Sequence, residues 1–342
     1  MKPIDTVRYA MEKLSPGTFE YKFQMVCDQN GRLLGTITDG DIRRGLLRQV
    51  TLNDNVTNVM NTSPSTGNFG QDSQNALKLN SLLGKNIFFL PVLDVEGIVR
   101  EIVISQRSVP KHCALVMAGG FGRRLGTQTS STPKPLLTVG DRPILDHILA
   151  CLEKAPVSEI FVAVHYLGDQ IEKFVNGRNN RLPVHVIREE EPRGTAGAIS
   201  MLPNNPETPI MVLNGDLITD VDLTSFIEFH TAHVLDATIA VARHHLNIPF
   251  GVIRYGENGQ FLGIDEKPTI SHFVAAGIYF LAPIFRTLVR PGESLDMPEL
   301  LERGRLKALR VAIFPIHEYW LDVGRPSDLA MAHGDWASGI RR

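Results

Sequence analysis

Cys113-Ala-Leu-Val-Met117 runs without a break into Ala118-Gly-Gly-Phe-Gly-Arg-Arg-Leu125, a strand-forming apolar run that opens into a glycine-rich turn carrying two arginines. Glycines let main-chain amides come close to phosphate oxygens, and the arginines bring positive charge to where a triphosphate would lie. Two common nucleotide-binding patterns do not fit. A dinucleotide fold requires GxGxxG, but the sixth position counted from Gly120 is Leu125, and GxxxxGK[ST] is absent. Then comes Ser131-Thr-Pro-Lys-Pro-Leu136, where two prolines stiffen the backbone around Lys134. A glycine-rich stretch can be no more than a tight turn; one followed by a lysine fixed in this way reads as a phosphate site.

Downstream, strand-like runs at 160–164, 184–187 and 210–213 alternate with helical stretches at 144–152 and 168–175. This alternation predicts an α/β domain with a largely parallel, Rossmann-like sheet over 113–342, in which ligands gather at the carboxyl ends of the strands. The informative residues do follow the strands. They are Gly194-Thr-Ala-Gly197, Leu213-Asn-Gly-Asp216, Phe250-Gly251, Glu266-Lys-Pro268, Ala276-Gly-Ile-Tyr279 and Trp320-Leu-Asp-Val-Gly-Arg-Pro326.

Taken in order with the glycine-rich turn and PKP, these stations resemble the sugar-1-phosphate nucleotidyltransferases over nearly all of 113–326. The resemblance implies a magnesium-dependent reaction of a nucleoside triphosphate with a sugar 1-phosphate. It makes Arg124, Lys134 and Asp216 the catalytic residues, with Asp216 and Asp322 holding Mg²⁺. Nucleotide contacts would come from Ala118, Gly119, Gly120, Gly122, Arg123, Glu190, Gly194, Thr195 and Ala196. Gly251, Glu266, Lys267 and Gly277 would meet the sugar phosphate. Arg123 departs from the Thr common at its position, and Ala275 replaces an Asn that touches the sugar in many relatives. Asp at a strand end also commonly caps or turns the chain, which is the bland alternative for Asp216 and Asp322. The GTAGA string resembles the guanylyl branch, which implies GTP. The front domains described next make the whole similar to guanylyltransferases of glucosamine 1-phosphate in bacterial legionaminic acid synthesis.

Ahead of this domain, Met25-Val-Cys-Asp-Gln-Asn-Gly31 aligns with Pro91-Val-Leu-Asp-Val-Glu-Gly97 at an offset of 66. Each copy reads as strand, DxxG turn and strand, preceded by a helical stretch at 6–14 or 73–83, with more helix at 41–47. The repeat, with Gly35-Thr-Ile-Thr-Asp-Gly-Asp-Ile42 and Phe89-Leu-Pro-Val-Leu-Asp94, resembles a tandem pair of cystathionine-β-synthase-type (CBS) domains over 1–105, an α+β unit. That implies an adenine nucleotide held by Thr38 and Asp41 at no more than one site, since Ile104 and Arg107 stand at the equivalent places of the second copy. It also implies a homo-oligomer built through the paired modules. Asp41 could equally cap the helix that follows it. Polar, proline-containing 106–112 is the expected linker.

Composition sets the outer limits. Over 342 residues the chain is 43% hydrophobic and 21% charged, with net charge −2. Those are globular proportions, long enough for two domains and without the basic excess of a nucleic-acid binder. No run is apolar and long enough for a signal peptide or a membrane span, so a cytoplasmic protein is expected. Three widely spaced cysteines signal neither a disulfide framework nor a zinc site. Three rival readings remain: a thymidylyl- or uridylyltransferase of a hexose 1-phosphate, a regulatory protein that only binds nucleotide, and a glycosyltransferase using Asn214-Gly-Asp216 for its metal. The last explains neither PKP nor EKP.

Overall fold

The computed structural model describes residues 1–14, 22–83, 87–105, 112–203 and 208–340. Its centre is a seven-stranded sheet in the order Val184–Arg188, Val157–Val164, His112–Met117, Ile210–Asn214, Thr269–Leu281, Ala237–Asn247, Val311–Pro315. The first four strands are mutually parallel, and Thr269–Leu281 alone runs against its neighbours on both sides. Valine, isoleucine and leucine fill these strands because both faces are covered, which is the condition under which parallel strands lose their polar alternation. One face buries Ile144–Leu152 and Leu223–Ala232, and the other packs under Met297–Leu306 and the 283–289 segment. Ile144, Leu145, Ile148, Leu149 and Leu152 fall on one side of their helix by the 3.6 period, and all are fully buried.

His112 opens the strand His112–Met117, so the expected linker ends one residue early; its remaining residues, 106–111, lie outside the described residues. Sequence periodicity also missed a long antiparallel pair. Ala237–Asn247 and Thr269–Leu281 run on past the sheet as a two-stranded arm, with the exposed hairpin of Val252–Tyr255 and Phe261–Asp265 between them. Gly277, at φ +71°, stands where the register of this pair shifts, and the Trp320 indole N–H donates to the neighbouring Ala276 carbonyl at 2.8 Å. A bulge of this kind bends a strand out of its sheet and is where glycine's left-handed freedom is needed.

In the front half, hairpin Phe23–Cys27/Leu33–Thr38 and hairpin Phe89–Leu93/Val99–Ile104 stand 66 residues apart, strand for strand. Asp28 Oδ1 accepts from the amides of Asn30 and Arg32, and Asp94 Oδ1 accepts from those of Glu96 and Ile98. The two turns bond to each other, Leu33 N–H to Gly97 O at 3.0 Å and Val99 N–H to Gly31 O at 3.3 Å, while Phe23 stacks on Phe89 with ring centres 3.9 Å apart. Thr38 and Asp41 form a capping box at the start of helix Asp39–Leu47. Thr38 N–H and hydroxyl both donate to Asp41 Oδ2, at 2.8 and 2.7 Å, and Arg44 takes Oδ1. With both carboxylate oxygens partnered, this pair acts as a helix cap in the observed conformation.

That helix also joins the halves. Arg43 is fully buried, with its guanidinium 3.7 Å from the centre of the Phe314 ring; it donates to Asp39 at 2.6 Å, Glu318 at 2.8 Å and the Pro315 carbonyl. Val311–Pro315 is an edge strand of the main sheet, and covering it with a helix protects an otherwise open edge. Among the described residues no helix is long and apolar enough to cross a membrane.

Candidate active site

Four neighbouring parallel strands end at one place. His112–Met117 leads into the glycine-rich loop, Ile210–Asn214 into Gly215-Asp216, Val157–Val164 into His165, and Val184–Arg188 into Glu189. Gly215 fixes how closely they converge: its N–H donates to Met117 O at 2.9 Å, and a Cβ there would stand 2.5 Å from that oxygen. Only glycine lets the Asp216 turn lie directly against the start of the loop.

Asp216 and Asp322 reach the site from paired strands. Leu217 stands opposite Asp322 in the short ladder of Leu217–Thr219 with Trp320–Asp322, and Val323 N–H donates to Asp216 O at 3.0 Å. Each carboxylate has a buried oxygen, Oδ1 in both cases, without a hydrogen-bond partner. Burial, with the Asp216 carboxylate beside it, raises the Asp322 carboxyl above its ordinary range, while Lys134 and Arg124 pull the other way. Two crowded acids with orphaned oxygens are what a divalent cation would relieve, and a hard cation with few protein ligands, such as Mg²⁺, fits them.

Lys134, 8% exposed, donates to Asp216 Oδ2 from the first turn of the 3₁₀ segment Lys134–Leu136, with Pro133 and Pro135 on either side. A lysine is seldom buried without such a partner. Arg124 is exposed and lies against the last motif, its Nη1 being 3.4 Å from where a Cβ on Gly324 would stand. Lys134, Asp216, Asp322 and Arg124 thus come together from four separated motifs.

Around the loop, Ala118 is buried, with its N–H on Ala163 O at 2.8 Å; Gly120 is exposed, and Gly122 takes the left-handed region at φ +65°. Arg123 lies 4.9 Å over the Phe121 ring. The Gly194–Gly197 turn stands on the same side, but its polar groups are largely committed. Thr195 N–H and hydroxyl both donate to Asp296 Oδ1, the hydroxyl accepts from Met297 N–H at 2.8 Å, and Ala196 N–H donates to Leu295 O. Thr195 and Ala196 therefore anchor the turn on helix Met297–Leu306. Glu190 is exposed, whereas its neighbour Glu189 is buried.

On the arm, the Glu266 carboxylate is aimed at Gly251: a Cβ on Gly251 would stand 3.0 Å from Glu266 Oε2. Glu266 and Lys267 are exposed, Lys267 with φ +45°. Gly277 is buried against Asn214, whose Nδ2 lies 2.6 Å from where its Cβ would be, so it acts through the backbone.

Residues 113–339 match the Nucleotidyl transferase family. The chain is similar to the mannose-1-phosphate guanylyltransferase catalytic subunit beta of Drosophila pseudoobscura pseudoobscura, 35% identical over 67% of this chain and 63% of that one. It is also similar to the mannose-1-phosphate guanyltransferase beta-A of Xenopus laevis, 34% identical over 67% and 66%. It therefore spans less than two thirds of these relatives' own length. Among solved structures, HddC from Yersinia pseudotuberculosis shares the fold with TM-score 0.51 and 23% identity, over 66% of this chain and 99% of that one. A putative glucose-1-phosphate thymidylyltransferase from Bacillus anthracis does so with TM-score 0.54 and 23% identity, over 68% and 97%.

Proposed function

Because the chain belongs to the nucleotidyl transferase family, we propose that it transfers a nucleoside monophosphate from GTP to a sugar 1-phosphate, giving a GDP-sugar and pyrophosphate. The observation that carries this reading is the Lys134–Asp216 ion pair at the mouth of the glycine-rich loop, with Asp322 beside it. A phosphate oxygen of the sugar 1-phosphate attacks the α-phosphorus in line, and the bond to the bridging oxygen of the leaving pyrophosphate breaks. The attacking oxygen is already anionic at neutral pH, so no general base is needed, and the difficulty lies in bringing two anions together. Lys134 and Arg124 offset the charge that gathers at the α-phosphoryl group, and the loop amides of 119–122 hold the remaining phosphates. Asp216 and Asp322 would hold Mg²⁺, which supplies charge neutralisation and a template for both phosphates when bound. Glu266 and Lys267 on the arm would take the sugar hydroxyls and the sugar phosphate.

GTP is favoured by the guanylyl character of the relatives and by the GTAGA string from Gly194, which resembles the guanylyl branch. For the acceptor, glucosamine 1-phosphate follows from the sequence resemblance and mannose 1-phosphate from the relatives' names. The stacked, 66-residue-spaced hairpins support reading 1–105 as a CBS-type pair that adjoins the catalytic domain. A matrix of GTP, ATP, UTP and dTTP against glucosamine, mannose and glucose 1-phosphates, with products identified by mass, tests the proposal. GDP-sugar should dominate; a higher specificity constant for UTP or dTTP would refute the guanylyl assignment and leave the reaction class standing.

A further inference from the structure

Asp216 and Asp322 stand at one end of a ladder only three residue pairs long, Leu217 opposite Asp322, Ile218 opposite Leu321 and Thr219 opposite Trp320. Leu217–Thr219 is buried, whereas Trp320–Asp322 is half-buried, and so short a two-stranded ladder has little stability of its own. What holds its far end therefore bears on how firmly the two carboxylates are spaced. At that end Tyr319 O accepts from Asp220 N–H at 3.0 Å and from the Thr219 hydroxyl at 3.1 Å. Just beyond lie Glu318, ahead of one strand, and Asp222, after the other, and the front half takes both. Arg43 donates to Glu318 at 2.8 Å, and the Lys22 ammonium donates to Asp222 and lies 3.3 Å from Ser225 Oγ. Asp222 is also the N-cap of helix Leu223–Ala232, accepting from the Thr224 and Ser225 amides on Oδ1. At the other end of that helix the Arg44 guanidinium lies 3.2 Å from His233 Nε2. Lys22, Arg43 and Arg44 thus close on the segments that leave Asp216 and lead to Asp322.

We propose that Arg43 and Lys22 are positioning residues for the metal-binding carboxylates: through Glu318 and Asp222 the front half clamps the far end of the ladder and so sets the spacing of Asp216 and Asp322. The inference rests on the nucleotidyltransferase reading above. Glu318 is four residues from Asp322 and Asp222 six from Asp216, at most about 13 and 20 Å of extended chain. That is too far for the front half to touch the metal, but close enough for a displaced strand end to shift a carboxylate. Mg²⁺ demands near-ideal octahedral geometry at short distances, so its affinity falls when its carboxylates are poorly spaced. A contribution by charge alone has a different signature. Loss of the Lys22 cation would favour a divalent cation at the site and loss of the Glu318 anion would disfavour it, whereas loss of the clamp weakens metal binding in both cases.

The test compares wild type, Lys22→Met, Lys22→Arg and Glu318→Gln in two ways. One is hydrogen exchange of peptides covering 216–222 and 319–324; the other is the free Mg²⁺ concentration that half-saturates pyrophosphate release with GTP and the better of glucosamine and mannose 1-phosphate. In Lys22→Met and Glu318→Gln, exchange should rise at the ladder amides and at Val323 N–H, which is bonded to Asp216 O. The Mg²⁺ requirement should rise by about two- to thirty-fold, the range for coupling through packed contacts. The KM for the sugar 1-phosphate should stay unchanged, and Lys22→Arg should behave as wild type. A merely structural role lowers the melting temperature without changing the Mg²⁺ requirement, and that result would overturn the proposal. So would shifts of opposite sign in the two variants, the mark of a charge effect. If Glu318→Gln melts early, Lys22→Met decides alone, because it leaves the Asp222 cap in place and its charge change acts against the loss of the clamp. A wild type that releases no pyrophosphate with any triphosphate refutes the reaction reading instead; the exchange data still judge the clamp, and unchanged ladder exchange in both variants refutes it.

Discussion

Asp216 and Asp322 each bring a buried, unpartnered oxygen to the same place, and Asn is nearly the same shape without the charge. Asp216→Asn and Asp322→Asn should therefore each lower turnover by orders of magnitude while keeping a normal melting curve. Steady-state kinetics beside calorimetric melting checks this; near-normal activity in both variants would dismiss the metal assignment. Lys134 and Lys267 should differ in kind. Lys134, buried on Asp216, should depress turnover with every triphosphate when replaced by Ala, whereas Lys267→Ala on the exposed arm should chiefly raise the KM for the sugar phosphate. Equal effects of both substitutions on both substrates would contradict these roles. Lys134, Asp216 and Asp322 were legible in the sequence because short motifs carry them at fixed places after strands. Glu189 was not: in Glu189-Glu-Glu191 nothing local says which carboxylate turns inward. The signal lay in the strand period, which puts Glu189 on the face of Ile187, but it needed the extra ladder bond to Val164 to extend the strand that far.

The helix Asp39–Leu47 shows what one element does when its two ends have different tasks. Its first turn is closed by the Thr38–Asp41 box, and its middle sends Arg43 into the catalytic domain. Burial alone would raise the Glu318 carboxyl, but the Arg43 guanidinium and His317 bring it down to about 2. Arg43→Ala leaves Asp39 and Glu318 without their cation in a buried place and should destabilise the protein by about 3–5 kcal/mol, read as the loss in denaturant unfolding. The pH dependence has a definite sign. With a folded value below the ordinary 4.5, Glu318 contributes stability that is complete above that value and is lost as the pH falls through about 2. Unfolding free energy should thus fall more steeply over this window in the wild type than in Glu318→Gln; parallel curves would remove the pair from the account. Helix starts and parallel strands were readable from periodicity. The arm of Ala237–Asn247 with Thr269–Leu281 was not, because its outer half is exposed on both strands and lacks an alternating apolar pattern.

At the scale of the whole molecule, a change in the spacing of strands and turns is what makes the sequence read as a front half followed by an α/β domain. What the sequence did not show is that the front half lies against the edge strand Val311–Pro315, only a few residues before Trp320–Asp322, which carries Asp322. The buried arginine in that contact, Arg43, reads in sequence like any surface residue of an amphipathic helix. The central claim is that a sugar-phosphate oxygen attacks the α-phosphorus of the triphosphate, and oxygen labelling tests it most directly. Glucosamine 1-phosphate and mannose 1-phosphate, each with ¹⁸O at all three non-bridging phosphate oxygens, would be incubated with the enzyme, Mg²⁺ and unlabelled GTP, and the products analysed by mass spectrometry. The account predicts a GDP-sugar that keeps all three heavy oxygens, one of them now bridging, and pyrophosphate with none. A GDP-sugar that has lost one heavy oxygen would contradict it, as would failure of both acceptors to give any nucleotide sugar or pyrophosphate.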